Sequence, residues 1–341
     1  MAASGKLVAA EQEPRTRANR QGRERILLLG GPADVPAQAP PEQALAPRGA
    51  PLDGAMPPFG FELRRKDEVW AENVFDLYEQ AKRQQWNASE DLAWDAIPAL
   101  DDELERAVCQ VMSFLVQAEY VALHLPAKFI PRIDPTYTEV ALFLATQVVD
   151  EARHIEVFTR RALARGGGLQ TVSAATQWSL KSLLAQEDYT SASFLMHVLG
   201  EGSFLDLFKV LEELAPDPVT AEMLRWARLD ESRHVAYGVA RGAQQIASDP
   251  EAANRMIAAA EARASFVRAS AGADPALQEA LAVLAGGGSS PEQLERGRAR
   301  LAGLQDRLHV TRVNRLRRMG FSEEQAEHLS RLHGTAVKSF M

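Results

Sequence analysis

The chain has 341 residues, 46% of them hydrophobic and 25% charged, which suits a globular protein built as one large bundle with an appendage. A net charge of −8 with no run of Lys and Arg in the globular part argues against a nucleic-acid surface, and the single cysteine, Cys109, excludes an internal disulfide or a thiolate metal site. No stretch approaches the ~18 consecutive apolar residues of a membrane span, and the amino terminus lacks a basic-then-apolar leader, so the expectation is a cytoplasmic protein with no membrane partner.

Residues 1–57 are rich in Ala, Pro, Gly, Arg and Gln, with Ile26-Leu27-Leu28-Leu29 as the one apolar island, and this composition predicts a disordered tail. The run ILLLGGP lacks the glycine-rich fingerprint and following helix of a nucleotide-binding loop. A bundle is expected over 58–248. Its first helix should lie near 67–85, followed by a loop whose Trp86 and Trp94 brace the bundle from outside. Asp101 and Asp102 supply acid to the start of the next helix, which Pro126 and Pro131 should stop at about Leu125. Apolar spacing makes Cys109 a core residue of that helix. A helix from about Pro135 to Gly166-Gly167-Gly168 follows, then a short helical crossover, a helix over about 187–214 and one over about 218–247. Residues 249–341 are expected to form a helical extension, with helices near 250–270, 275–285 and 291–319 and a last one from Ser322, where Gln325 completes a capping box. These segments would wrap the bundle or form a dimer surface.

Two copies of one frame, Asp-Glu-x-Arg-His, stand at 150–154 and 230–234. Residues three apart share a helix face, so Glu151 with His154, and Glu231 with His234, each project a carboxylate and an imidazole to one side. Each frame is preceded by a lone acid in an apolar helical run, Glu119 in SFLVQAEYVALHL and Glu201 in SFLMHVLGEGSFLDLF. An unpaired carboxylate is costly among such neighbours, and two cations would compensate it. Glu119 precedes Glu151 by 32 residues and Glu201 precedes Glu231 by 30, which suits two antiparallel hairpins meeting at mid-height. The 50 residues from Glu151 to Glu201 leave room for one long crossover. The pattern predicts a dinuclear metal site with six ligands: Glu119, Glu151, His154, Glu201, Glu231 and His234. A metal-bound imidazole donates its other N–H to a carboxylate that fixes its orientation, a role that suits Asp150 and Asp230, with Arg153 and Arg233 beside them.

In this order of ligands the chain resembles the ferritin-like non-haem dimetal-carboxylate superfamily, which includes ribonucleotide reductase small subunits, bacterial multicomponent monooxygenases, acyl carrier protein desaturases and aminobenzoate N-oxygenase. The likeness covers about residues 65–248. It implies an all-α fold, a ferritin-like four-helix bundle with one long crossover and additional flanking helices. It also implies that Asp150, Arg153, Asp230 and Arg233 hold the ligand imidazoles. The chain departs from each better-known relative: Phe158 stands where reductase subunits carry a radical-forming Tyr, Leu205 where the monooxygenases usually carry a Thr, and Ala227 where the N-oxygenase type has an extra His.

Other residues join this picture. His197, four before Glu201, is a candidate seventh ligand or hydrogen-bond donor to Glu201, or else a core-edge histidine bound to a backbone carbonyl, the reading that also suits His124. Tyr120 reads as core or as a neighbour of the ligands, and Tyr237 as a candidate electron or proton relay. Leu115, Leu123, Phe158, Phe204 and Leu205 are the expected lining of a substrate cavity. Oxygen and nitrogen ligands suit two iron ions or a Mn/Fe pair. The functional expectation is an oxidase or oxygenase that activates dioxygen, with an external electron donor (a reductase or ferredoxin), a small, partly apolar organic substrate and a homodimeric assembly. The alternatives are a ferroxidase that handles iron and a reductase-like protein that stores an oxidising equivalent in its metals.

Overall fold

The computed structural model describes residues 35–249, 251–270 and 274–337. Helices α1 (Lys66–Val69) and α2 (Val74–Arg83) come first, where one helix over 67–85 was expected. The bundle proper is α3 (Asp102–Phe129), α4 (Thr138–Leu163), a third rod made of α6 (Tyr189–Ser193), a π-helical segment (Phe194–Glu201) and α7 (Gly202–Leu214), and α8 (Pro218–Ser248). Between the two hairpins, α5 (Ala174–Leu184) lies in the long crossover. The expected four-helix bundle with one crossover is therefore present, and no strand occurs among the described residues.

Local chemistry explains the ends. Asp102, Glu103 and Glu105 in the first turn of α3 complement its dipole, and Asp217 accepts the Thr220 amide at 2.8 Å to start α8 behind Pro218. Pro126 does not stop α3 as expected. The helix runs on to Phe129 because Pro126 and Phe129 are both buried, and the lost amide is offset by their packing. By length and composition Asp102–Arg132 passes for a membrane span, but 72% of its apolar window is buried inside the protein, as in a core helix.

α3 packs along α4, and α7 along α8, as two hairpins that meet through α4 and α8. The apolar side chains fall into layers. One holds Leu115, Val157, Phe158, Phe208, Leu211, Leu224 and Ala227; another holds Leu125, Phe129, Phe143, Leu144, Met196 and Tyr237. On each rod the acidic residues of interest lie between these layers, at mid-height. Gly238 lets α8 close onto the π segment, since a Cβ there would come within 2.4 Å of His197 Cβ.

Beyond the bundle, α9 (Glu251–Ser270) lies on α5, and α10 (Pro275–Gly286) on α3. The single helix expected over 291–319 is two, α11 (Pro291–Ala302) and α12 (Leu304–Arg318), parted at Gly303. α13 (Glu323–Val337) starts with the expected capping box of Ser322 and Gln325. The expected disordered tail needs correction in part. Residues 1–34 lie outside the described residues, but the first part of 35–57 packs on the bundle. Val35 and Ala39 are buried, the Ala39 amide donates to Arg64 O at 2.8 Å, and Arg48 forms a buried two-pronged pair with Glu139.

Candidate metal centre

The six side chains expected as ligands come together. Glu119, Glu151, His154 and Glu231 form one group, and Glu151, Glu201, Glu231 and His234 a second, each with ligand atoms within 4.8 Å of one another. Glu151 and Glu231 belong to both groups. His154 Nδ1 lies 3.1 Å from Glu151 Oε2 and 3.6 Å from Glu231 Oε1, while His234 Nδ1 lies 3.0 Å from Glu151 Oε1 and 3.4 Å from Glu231 Oε2. All six are buried, none more than 5% exposed.

Their protonation reflects that crowding. Burial, with the charges of Glu151 and Glu231, holds the Glu119 carboxyl well above its usual range. Burial and Glu231 do the same to Glu201, and burial and Glu151 raise Glu231. Glu151 goes the other way, because hydrogen bonds with His154 and His234 outweigh its burial. His154 is buried too, yet Asp230 and Glu151 lift its imidazole from 6.5 to about 9. His234 is raised by Asp150 and Glu151 against the same burial.

Two observations test whether cations fit. Glu119 Oε1, Glu201 Oε2 and Glu231 Oε2 are buried and have no hydrogen-bond partner among the described residues, although all are strong acceptors. Four buried glutamates and two buried aspartates against two buried arginines leave an excess of four negative charges when the imidazoles are neutral, the charge that two divalent ions cancel. The donor set fits a pair of ions.

Asp150, Arg153, Asp230 and Arg233 form a crossed quartet. Arg153 Nη2 donates to both Asp150 Oδ1 (2.5 Å) and Asp230 Oδ2 (2.9 Å), and Arg233 Nη2 to both Asp150 Oδ2 (2.8 Å) and Asp230 Oδ1 (2.6 Å). Each aspartate meets the imidazole of the other frame: Asp150 Oδ2 lies 3.3 Å from His234 Nε2, and Asp230 Oδ2 3.3 Å from His154 Nε2. With Nε2 as donor, each Nδ1 lone pair faces the glutamates. The arginines hold the aspartates and do not touch the imidazoles, which corrects the role implied for them. Both Asp150 and Asp230 are held below the ordinary carboxyl range, against the effect of burial, first by the bonds from these histidines.

His197 is not a seventh ligand. Its Nδ1 pairs with Ser193 Oγ at 2.8 Å and its Nε2 with Gln147 Oε1 at 3.0 Å, and Gln147 Nε2 donates to Glu201 Oε1 at 2.9 Å. Gln147 thus stands between His197 and Glu201. It escaped notice in the sequence, although it lies one turn before Glu151 on the same helix face. Trp86 turns inward and donates its indole N–H to Asp230 Oδ2 at 2.8 Å, while Gln84 and Gln85 accept from Arg233 and Arg153. Tyr237 donates to Val69 O at 2.7 Å and meets Tyr189 Oη at 2.7 Å, away from the ligands. Tyr120 is half exposed on the surface and stacks on His124, not in the core. Cys109 is a core thiol that burial pushes up to about 12.

The expected cavity lining differs from that of the pocket at the glutamates. A pocket of about 50 Å³ reaches Glu119, Glu201 and Glu231, and it is lined by Val121, Ala122, Leu180, Leu183, Met196, Gly200 and Phe204. Of the expected residues only Phe204 takes part. Leu115 and Phe158 are spent in the apolar layer, where Phe158 packs on His154 and Phe208, and Leu123 and Leu205 do not line the pocket. Most of its walls come from α3, α5 and the π segment.

A bundle of two hairpins joined by one long crossover has the ferritin-like helical fold. Among solved structures, the chain is similar to an R2-like ligand-binding oxidase variant with anaerobically reconstituted Mn/Fe cofactor, at TM-score 0.51 and 18% identity over 73% of this chain and 93% of that one. A second such variant gives the same figures. A third, aerobically reconstituted, gives TM-score 0.50 at 18% identity over the same shares of the two chains. At this identity the likeness is one of fold. No protein-family model matches the chain, and no curated protein does.

Proposed function

We propose that Glu119, Glu151, His154, Glu201, Glu231 and His234 hold two first-row metal ions, a Mn/Fe or di-iron pair, and that the protein is an oxidase or oxygenase of a small apolar molecule. The observation that carries this reading is the pair of buried groups sharing Glu151 and Glu231, with their unpartnered oxygens turned inward. Oxygen and nitrogen donors without thiolate suit iron and manganese. The Mn/Fe cofactor of the structurally similar oxidases supports the mixed pair. Two such ions, when bound, would supply electrons for the reduction of dioxygen that no side chain of the site can provide.

The chain's own residues do the rest. Asp150 and Asp230 fix the tautomer and direction of both imidazoles, and the two arginines keep those aspartates ionised. Phe143 against His234 and Phe158 against His154 exclude water above and below the site. The pocket beside Ala122, Leu183 and Met196 would admit a slender apolar substrate to the glutamates. An external electron donor, a reductase or ferredoxin, and a homodimeric assembly belong to the same proposal.

The test is metal analysis of protein loaded anaerobically with Mn(II) and Fe(II), followed by exposure to oxygen. Two ions per chain, oxygen uptake and a new visible absorption are expected. Fewer than two ions would refute the dinuclear site, and a fully loaded protein that takes up no oxygen would refute the oxidase reading.

A further inference from the structure

The segment that carries Glu201 is held from outside by the carboxy-terminal helices. A π-helix closes a wider ring than an α-helix, so where the two meet some carbonyls lose their regular amide partner. At the junction of Phe194–Glu201 with α7, side-chain donors reach the backbone carbonyls. Arg315 of α12 donates through Nη2 to Gly202 O at 2.6 Å and through Nη1 to Val198 O at 3.3 Å. Ser203 Oγ donates to Leu199 O at 2.7 Å. Arg312 in turn donates to Ser203 Oγ at 3.2 Å and to Ser330 O at 3.0 Å, tying the junction to α13.

Residue 202 is shaped for this contact. A Cβ there would lie 2.3 Å from Arg315 Nη1 and 2.6 Å from Cζ, so only glycine lets the guanidinium reach the backbone. The charge is answered by Asp206, whose Oδ2 lies 3.7 Å from Arg315 Nη2 and accepts from Thr311 at 2.6 Å. A planar fork with two parallel donors can serve both carbonyls at once, which a lysine cannot.

We propose that Arg315 is a positioning residue: by binding Val198 O and Gly202 O it keeps residues 194–201 in π register and so aims Glu201 at Glu151, Glu231 and His234. If the segment relaxed to an α-helix, the register would slip by one residue and turn the Glu201 side chain by about 100°. Glu201 belongs to only one of the two ligand groups, so one ion should be affected and the other spared. This inference rests on the reading of Glu201 as a metal ligand, and its test separates the two.

The experiment is a Mn(II) titration by calorimetry on the full chain, with amide hydrogen exchange on the metal-free protein, for wild type, Arg315→Gln, Arg315→Lys, Gly202→Ala and the double variant Gly202→Ala/Arg315→Gln. Arg315→Gln should weaken one Mn(II) site by about tenfold or more and leave the other unchanged. Exchange of amides 198–206 should rise while α4 and α8 stay protected. Arg315→Lys should not restore the site. Gly202→Ala should match Arg315→Gln, and the double variant should be no worse than either. Two wild-type affinities with unchanged exchange would overturn the proposal, as would equal weakening of both sites with a general loss of protection. Should Arg315→Gln fail to fold, Gly202→Ala makes the same comparison. Should the wild type take up no Mn(II), the metal reading falls, and the exchange data alone decide the register.

Discussion

Without ions, the buried excess of carboxylates must be neutralised by protons, and those protons can be titrated away. Raising the pH of the metal-free protein through about 9 should therefore destabilise it. His154 is lifted from 6.5 to about 9, so its contribution is complete below its unfolded value and is lost as pH rises through the folded one. Glu119, Glu201 and His234 are also raised, and their contributions carry the same sign. At about 1.4 kcal/mol per unit, the His154 shift alone corresponds to about 3 kcal/mol. Bound ions replace the protons: at a hundredfold excess over its dissociation constant, each would return about 2.7 kcal/mol. At roughly 2–4 °C per kcal/mol, the metal-free melting midpoint should fall by about 6–12 °C between pH 6.5 and 9.5, and Mn(II) should largely abolish the fall. Circular dichroism melts at both pH values, with chelator and with Mn(II), measure this. A metal-free midpoint that holds steady or rises over that interval would refute the protonated-imidazole account.

Other perturbations separate the parts of the molecule. Asp230→Asn removes the charge, and one of the two acceptor oxygens, that serve Trp86, Arg153, Arg233 and His154, and should weaken Mn(II) binding by roughly 10–100-fold in calorimetry; wild-type affinity would show that the carboxylate does not orient His154. Arg161→Met strands Glu105 and Asp217 in the interior, so urea unfolding should show a loss of about 3–5 kcal/mol with metal stoichiometry unchanged. Ala122→Phe fills the pocket beside Glu119; two ions per chain should remain bound, while substrate-dependent oxygen uptake falls about tenfold or more, and an unimpaired rate would place the substrate elsewhere.

The helices and the six inward side chains were legible because they depend on local repeats: apolar spacing, caps, and Glu-x-x-His on one face. What escaped depends on long-range contacts. The π register of 194–201 is answered by Arg315, 113 residues from Gly202, and no local pattern announces it. The lining of the pocket at the glutamates was hidden for a related reason, since it is formed where α5 and the π segment lie over α3, far apart in sequence. Residues 35–57 looked too poor in apolar groups to order themselves. Part of the segment nevertheless packs on the bundle, through Val35, Ala39 and the pairing of Arg48 with Glu139. Trp86 looked like an outer brace because nothing near it in sequence reveals Asp230, 144 residues away.

The crossing of Asp150 to His234 and of Asp230 to His154 has a consequence for how the molecule could be divided. Although the pentapeptide is doubled, neither hairpin is a half-machine that merely works beside its twin. Each lends the carboxylate that steers the other's imidazole, and both lend oxygens to the shared middle. Cut between the hairpins, the chain would leave two fragments each with a misdirected histidine and half a cradle, so the capacity to seat ions belongs to the joined bundle alone.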